Sequence, residues 1–181
     1  MLNTTIMRGQ DLSEAQIDFM NKQRLMEYGE NTKDFKKNEL ASIFFFLDQA
    51  ESVKAFGMLK PLNIIHDGKQ CPILGISNII AVEKGRGYGK LLMQAIKEYL
   101  VSKHMNGLGF CDHEICPFYV QCGFQIIEGL SSRFQYLYAQ QDGQKEKLDS
   151  PRGTIYFEGR DKLASKLLAN DEPIYIDVPF W

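Results

Sequence analysis

The segment Lys84-Gly85-Arg86-Gly87-Tyr88-Gly89-Lys90 sets three glycines at alternate positions among cations and one aromatic residue. Small residues let the main chain approach an anion, and the first amides of a following helix carry about half a positive charge toward it. With Lys84, Arg86 and Lys90 on the rim, the charge density suits a diphosphate; the competing reading is a tight strand-to-helix connection with solvated charges. The order of the glycines fits neither the GxxxxGK[ST] loop of nucleotide triphosphatases nor the GxGxxG turn of dinucleotide folds. A second segment, Pro117-Phe118-Tyr119-Val120-Gln121-Cys122-Gly123-Phe124, sets a phenol between two aromatic residues expected in the core. Of the cysteines, Cys111, Cys116 and Cys122 are separated by four and five residues, without the close ligand pairs of a zinc site. Together with Cys71 they read as buried free thiols; His113 is a lone hint of metal, and no metal is expected.

These residues need elements to hold them. Ile73 to Ala81 reads as a strand entering the glycine segment, and a helix follows with Leu91, Leu92, Ala95, Ile96, Tyr99 and Leu100 on one face and Lys90, Gln94, Lys97 and Glu98 largely opposite. Asn106-Gly107 ends it, Leu108 to Cys111 is a short strand, and Pro117 suits the first turn of a helix closing near Gly123. Upstream lie a strand over Leu2 to Arg8 and a helix capped by Asp11 or Ser13 and running to about Tyr28, with Ile17, Met20 and Leu25 apolar. Asn31 or Thr32 caps a second helical piece. Strands follow at Ile43 to Leu47 and Val53 to Ile65, the latter interrupted at Pro61, and His66-Asp67-Gly68-Lys69 is a turn between strands. Downstream strands are Phe124 to Ile127, Phe134 to Tyr138, Thr154 to Phe157 and Ile174 to Val178, with a short helix over Asp161 to Leu168.

The chain has 181 residues, of which 44% are hydrophobic and 24% charged, and a formal charge of −2, which fits one mixed α/β domain over residues 1–181. No general basic field exists to hold a nucleic acid, and the longest apolar run, Ile43 to Leu47, is far short of the ~20 residues that cross a bilayer. A soluble, cytoplasmic chain binding neither nucleic acid nor membrane is expected.

The glycine segment resembles the [RQ]xxGx[GA] motif of the GNAT N-acetyltransferase superfamily, with Lys84 where arginine or glutamine is usual. Residues 117–124 are similar to the FYxxxGF signature that the superfamily carries about thirty residues later. The resemblance implies a mixed, mostly antiparallel central sheet with splayed strands, flanked by helices. It also implies that acetyl-CoA lies between the strands Ile73 to Ala81 and Leu108 to Cys111. The diphosphate would rest on the amides from Arg86 to Lys90, with Lys84, Gly85, Gly87, Tyr88 and Gly89 completing the cradle, and amides of Ile79, Ile80 and Ala81 would polarise the thioester oxygen. Tyr119 would protonate the leaving thiolate, its competing role being packing. A primary amine, on a small molecule or a peptide, is the implied acceptor. Many relatives carry a glutamate base on the first of these strands; residues 73–79 hold no carboxylate. Ser77 or Asn78 could position a water, while Glu83, Asp112, His113 and Glu114 lie near the relevant strand ends. The carboxyl end shares a short likeness with aminoglycoside 2′-N-acetyltransferases, which would bring Asp177 and the terminal carboxylate of Trp181 to a cationic substrate. A coenzyme-binding sensor without turnover is the alternative, and edge strands near the carboxyl end suit a homodimer.

Overall fold

The computed structural model describes residues 1–29, 39–50, 52–137, 145–147 and 152–176. The chain forms two compact units, Met1–Lys60 with Ser77–Glu98, and Pro61–Ile76 with Tyr99–Trp181. Strands β3 (Ser52–His66) and β4 (Lys69–Ala81) contribute to both.

In the first unit, β1 (Leu2–Arg8) pairs antiparallel with β2 (Ile43–Gln49), and β2 with β3. Phe44, Phe45 and Phe46 are all buried, so β2 is covered on both faces and reads as a continuous apolar run instead of an alternation. Phe44, Phe46, Phe56, Met58 and Ile80 pack with Met20 of α1 (Glu14–Tyr28) into one core. Ser13 caps α1, accepting from the Gln16 amide while the Gln16 side chain accepts from the Ser13 amide. The buried face of α1 differs from the expected one: Leu25 is 52% exposed and Arg24 is fully buried. Arg24 lies one turn after Met20 on the same face, and its Nη1 meets Glu39 Oε2 at 3.1 Å, so a charge pair occupies a position assigned to leucine. Along α2 (Tyr88–Lys103) the buried residues are Leu92, Met93, Ile96 and Leu100, while Leu91 is 42% exposed. The apolar face is therefore rotated from the one expected.

In the second unit, β3 continues without a break through Pro61, which is exposed and needs no ladder partner for the N–H it lacks. The turn to β4 has Asp67 at φ +52° and Gly68 at φ +69°, the pattern of a two-residue hairpin turn with both centres left-handed. β5 (Gly107–Cys111) runs parallel to β4 through Leu74↔Gly107 and Gly75↔Leu108. β9 (Gly153–Phe157) lies antiparallel between β5 and β6 (Gln125–Ile127). β10 (Ile174–Ile176) is antiparallel to β3 and parallel to β7 (Phe134–Leu137), which pairs with β8 (Lys145–Lys147). α3 (Cys116–Gln121) and α4 (Leu163–Leu167) complete the unit around a core that includes Leu62, Ile64, Ile73, Leu108, Phe134 and Ile174. The architecture is the mixed, mostly antiparallel sheet flanked by helices that was expected. β8 was not expected; the helix at Asn31 or Thr32 and the end of the last strand fall outside the described residues. Among the described residues, no helix is long and apolar enough to cross a membrane.

One buried phenol organises the lower part of this second core. The Tyr156 hydroxyl lies 2.9 Å from Asn106 Oδ1 and 2.7 Å from Glu158 Oε1, and accepts from the Ala164 amide at 3.0 Å. Asn106 Oδ1 also takes the Gly159 amide, and its Nδ2 donates to Asp161. Burial first, then the bond to Glu158, raises the Tyr156 pKa above the ordinary tyrosine range. The folded chain thus holds this proton more tightly than the unfolded chain. Stability from the phenol is complete below pH ~10 and declines as pH rises through the folded value. Tyr156→Phe leaves the Ala164 donor unsatisfied, and we expect a loss of ~1–3 kcal/mol at neutral pH in urea unfolding. The variant should also lose stability less steeply than the parent above pH 10.

Candidate functional site

Within the first unit, the end of β4 carries a kink: Asn78, at φ +53°, is left-handed inside a strand, and its Nδ2 donates to Ser77 Oγ at 3.0 Å. A left-handed residue interrupts the two-residue alternation and re-aims the peptide groups beside it, a strain seen most often at functional sites. Ile79, Ile80 and Ala81 follow directly, Ile80 buried and its neighbours half-buried. The chain then turns through Gly85 at φ +72° and Gly87 at φ +80°, conformations that favour glycine. Nothing lies within 4 Å of where a Cβ on either would stand, so the space above the turn is open.

Helix α2 starts at once. Its Lys90 amide donates back to Gly87 O at 3.0 Å, while the amides of Tyr88 and Gly89 precede the first intrahelical bond. Gly57 lets α2 lie close to β3, since a Cβ there would stand 2.7 Å from Ile79 Cδ1 and 3.3 Å from Ile96 and Leu92. The cations do not act alike. Lys84 Nζ is held by both Glu27 oxygens at 2.7 Å, and Lys54 pairs with Glu83, whereas Arg86 and Lys90 are exposed on the rim. The Tyr88 hydroxyl donates to Gln49 Oε1 at 2.9 Å, which fixes the side chain at the helix start. The turn, the helix start and the exposed Arg86 and Lys90 thus stand together at one end of α2.

In the second unit, α3 presents Tyr119. Its side chain is 7% exposed, with the ring edge-on to Phe118 at 5.1 Å between centroids. Phe124 is buried as expected, but Phe118 is only half-buried. Gly123, at φ +82°, ends the helix: its amide bonds Val120 O, and the Phe124 amide bonds Tyr119 O at 3.1 Å. This left-handed stop is why the motif needs glycine there. Gly109 of β5 is also fixed by close approach, because a Cβ would stand 2.7 Å from Ile76 O.

Of the expected base candidates, Glu83 is committed to Lys54, Asp112 lies 3.9 Å from Arg152, and His113 Nδ1 is 3.6 Å from Glu128. Asp177 and Trp181 fall outside the described residues. The four cysteines form no disulfide, and only Cys111 is buried; Cys71, Cys116 and Cys122 are partly exposed, against the expectation of buried thiols. A cavity of about 500 Å³ in the second unit is lined at the β3–β4 turn by His66, Lys69 and Cys71 and at the other side by Asp161 and Lys166. It includes neither the glycine turn nor Tyr119.

No family model and no curated protein matches the chain. Solved structures do. Escherichia coli ElaA aligns with a TM-score of 0.61 at 16% identity over 87% of this chain and 100% of its own. An acyl-CoA N-acyltransferase from Pseudomonas aeruginosa aligns with 0.59 at 13%, over 85% and 98%. The CoA-dependent acyl-homoserine lactone synthase BjaI, solved with SAM and isopentyl-CoA, aligns with 0.58 at 10%, over 94% and 90%. At these identities the likeness shows the fold that this chain shares with these three proteins.

Proposed function

We propose that the chain is one acyltransferase domain that moves an acetyl group from acetyl-CoA to a primary amine by direct attack on the thioester. The observation that carries this is the run from the left-handed Asn78 through Gly85 and Gly87 into the open start of α2. It supplies main-chain donors, partial positive charge and the exposed Arg86 and Lys90 in one place, as a pyrophosphate requires. The proposed donors to the diphosphate are the amides from Arg86 to Gly89 and the exposed Lys90 side chain; the expected Lys90 amide is bonded to Gly87 O instead. Lys84 contributes after exchanging or sharing its Glu27 partner. Amides of Ile79, Ile80 and Ala81 receive the thioester oxygen as negative charge develops on it.

The amine nitrogen forms a bond to the acetyl carbon, the carbon–sulfur bond breaks, Tyr119 gives its proton to the departing sulfur, and the proton shed by the new amide nitrogen passes to water, from which the Tyr119 phenol is restored. The amine must arrive neutral; with a reference pKa near 10.4 only about one molecule in a few thousand is neutral at pH 7. Neighbours of the same fold handle acyl-CoA substrates, which supports the cosubstrate class.

Free-thiol release from acetyl-CoA across a panel of small and peptide amines tests the transfer. Absence of release with every amine, together with a thermal shift on adding CoA, would instead establish the sensor reading. CoA at about a hundredfold over its Kd should stabilise the chain by ~2.7 kcal/mol. Gly87→Ala places a Cβ in a left-handed position that costs ~1–2 kcal/mol and fills the open space above the turn. Its affinity for CoA should fall at least about tenfold by calorimetry. Unchanged affinity would remove the cradle from the proposal.

A further inference from the structure

The second unit brings together side chains that the proposed transfer does not use. The chain leaves β5 at Cys111, turns through a single 3₁₀ turn, His113–Ile115, and enters α3 at Cys116. This brings Cys111 Sγ and Cys116 Sγ to 3.7 Å despite their four-residue separation. Glu128, just beyond β6, reaches the same place, with Oε2 3.6 Å from His113 Nδ1. One ligand atom from each of His113, Cys116 and Glu128 lies within 4.8 Å of the others.

The distances have a chemical meaning. A tetrahedral zinc ion with Zn–S of ~2.3 Å sets two sulfurs about 3.8 Å apart, and Zn–N and Zn–O of ~2.0 Å set those atoms about 3.3 Å apart. The sulfur pair and the nitrogen–oxygen pair each stand near these edges, and Cys116 is common to both clusters; Cys111 lies outside the 4.8 Å group of the other three and would close onto the ion through Cys116. Gly153 of β9 makes room, because a Cβ there would overlap Cys116 Sγ and stand 3.6 Å from Cys111 Sγ.

We propose that Cys111, Cys116, His113 and Glu128 bind one zinc ion that ties the end of β5, the start of α3 and the segment after β6 together. The set combines two thiolates, one neutral imidazole and one carboxylate, a donor mixture suited to Zn²⁺ and unsuited to Mg²⁺ or Ca²⁺. Binding releases the two thiol protons to solvent. Because Cys116 opens the helix that carries Tyr119, the ion would be a positioning device for that helix and takes no part in bond making.

The test uses the reduced, chelator-treated full chain and cobalt alone as probe. Addition of Co²⁺ should saturate at one equivalent, with thiolate-to-cobalt charge-transfer absorption of two-sulfur intensity and tetrahedral d–d bands, and Zn²⁺ should bleach both. Cys111→Ser should halve the charge-transfer band and Cys116→Ser should weaken it at least as much. His113→Ala and Glu128→Gln alter side chains 56% and 66% exposed, so the fold survives while cobalt affinity falls by tenfold or more. Lack of a charge-transfer band in the reduced parent overturns the proposal, as does one that persists at full strength in Cys116→Ser. The readout needs neither CoA nor an amine, so it stands or falls separately from the transferase reading.

Discussion

If the proposed transfer holds, Tyr119→Phe should lower kcat by about 10²-fold and leave the affinity for CoA unchanged, the low end of the usual range for removing a general acid. The low end is expected because thiols have a reference pKa of about 8.5, so a thiolate departs tolerably even unprotonated near neutral pH. The proposed diphosphate contacts come from residues 84–90 and not from Tyr119, and phenylalanine keeps the edge-on packing with Phe118. A thermal-shift titration with CoA should therefore be superimposable for parent and variant while single-turnover thiol release slows. Equal turnover in both proteins would return Tyr119 to the packing role that its 7% exposure also suits.

What could be read from the sequence followed from how locally each requirement is imposed. Gly85, Gly87 and Gly123 stand where the backbone is left-handed, so their residue type reports their conformation directly. Ser13 and Gln16 mark the start of α1 for the same reason, being three residues apart and bonded to each other. Asn78 carries no such mark, since an asparagine in an apolar strand looks like any polar interruption and only the coordinates show its left-handed turn. Partnerships across long separations were invisible: Tyr156 with Asn106, His113 with Glu128, and the two cysteines once a 3₁₀ turn folds them together. On α2, Leu92, Ile96 and Leu100 are buried as expected, but Met93 takes the place expected of Leu91, since both are apolar and the period alone does not decide between them. The motif residues were thus legible one by one, whereas their electrostatic partners depended on packing.

Glu39→Ala should destabilise the chain by ~3–5 kcal/mol, a fall in melting temperature on the order of 10 °C for a protein of this size. Arg24 is fully buried, and Glu39 is 6% exposed. Removing the carboxylate leaves a guanidinium that cannot shed its proton and cannot reach water without unwinding part of α1. Nor can the backbone near Glu39 shift freely to readmit solvent. Its carbonyl accepts the Ser42 amide at 2.9 Å, the Gly9 amide bonds Ser42 O at 2.8 Å, and Gly9 fits only because a Cβ would overlap the Glu39 carbonyl. The double replacement Arg24→Met with Glu39→Leu makes the opposite prediction. It exchanges two desolvated charges for apolar volume beside Met20, so stability should return to the parent value or exceed it. Calorimetry on the ligand-free chain decides, with the large single-variant loss and the double-variant recovery both required. A double variant as unstable as Glu39→Ala would mean that the pair sets the conformation of α1 and the 39–42 turn, and that its desolvation is not the governing cost.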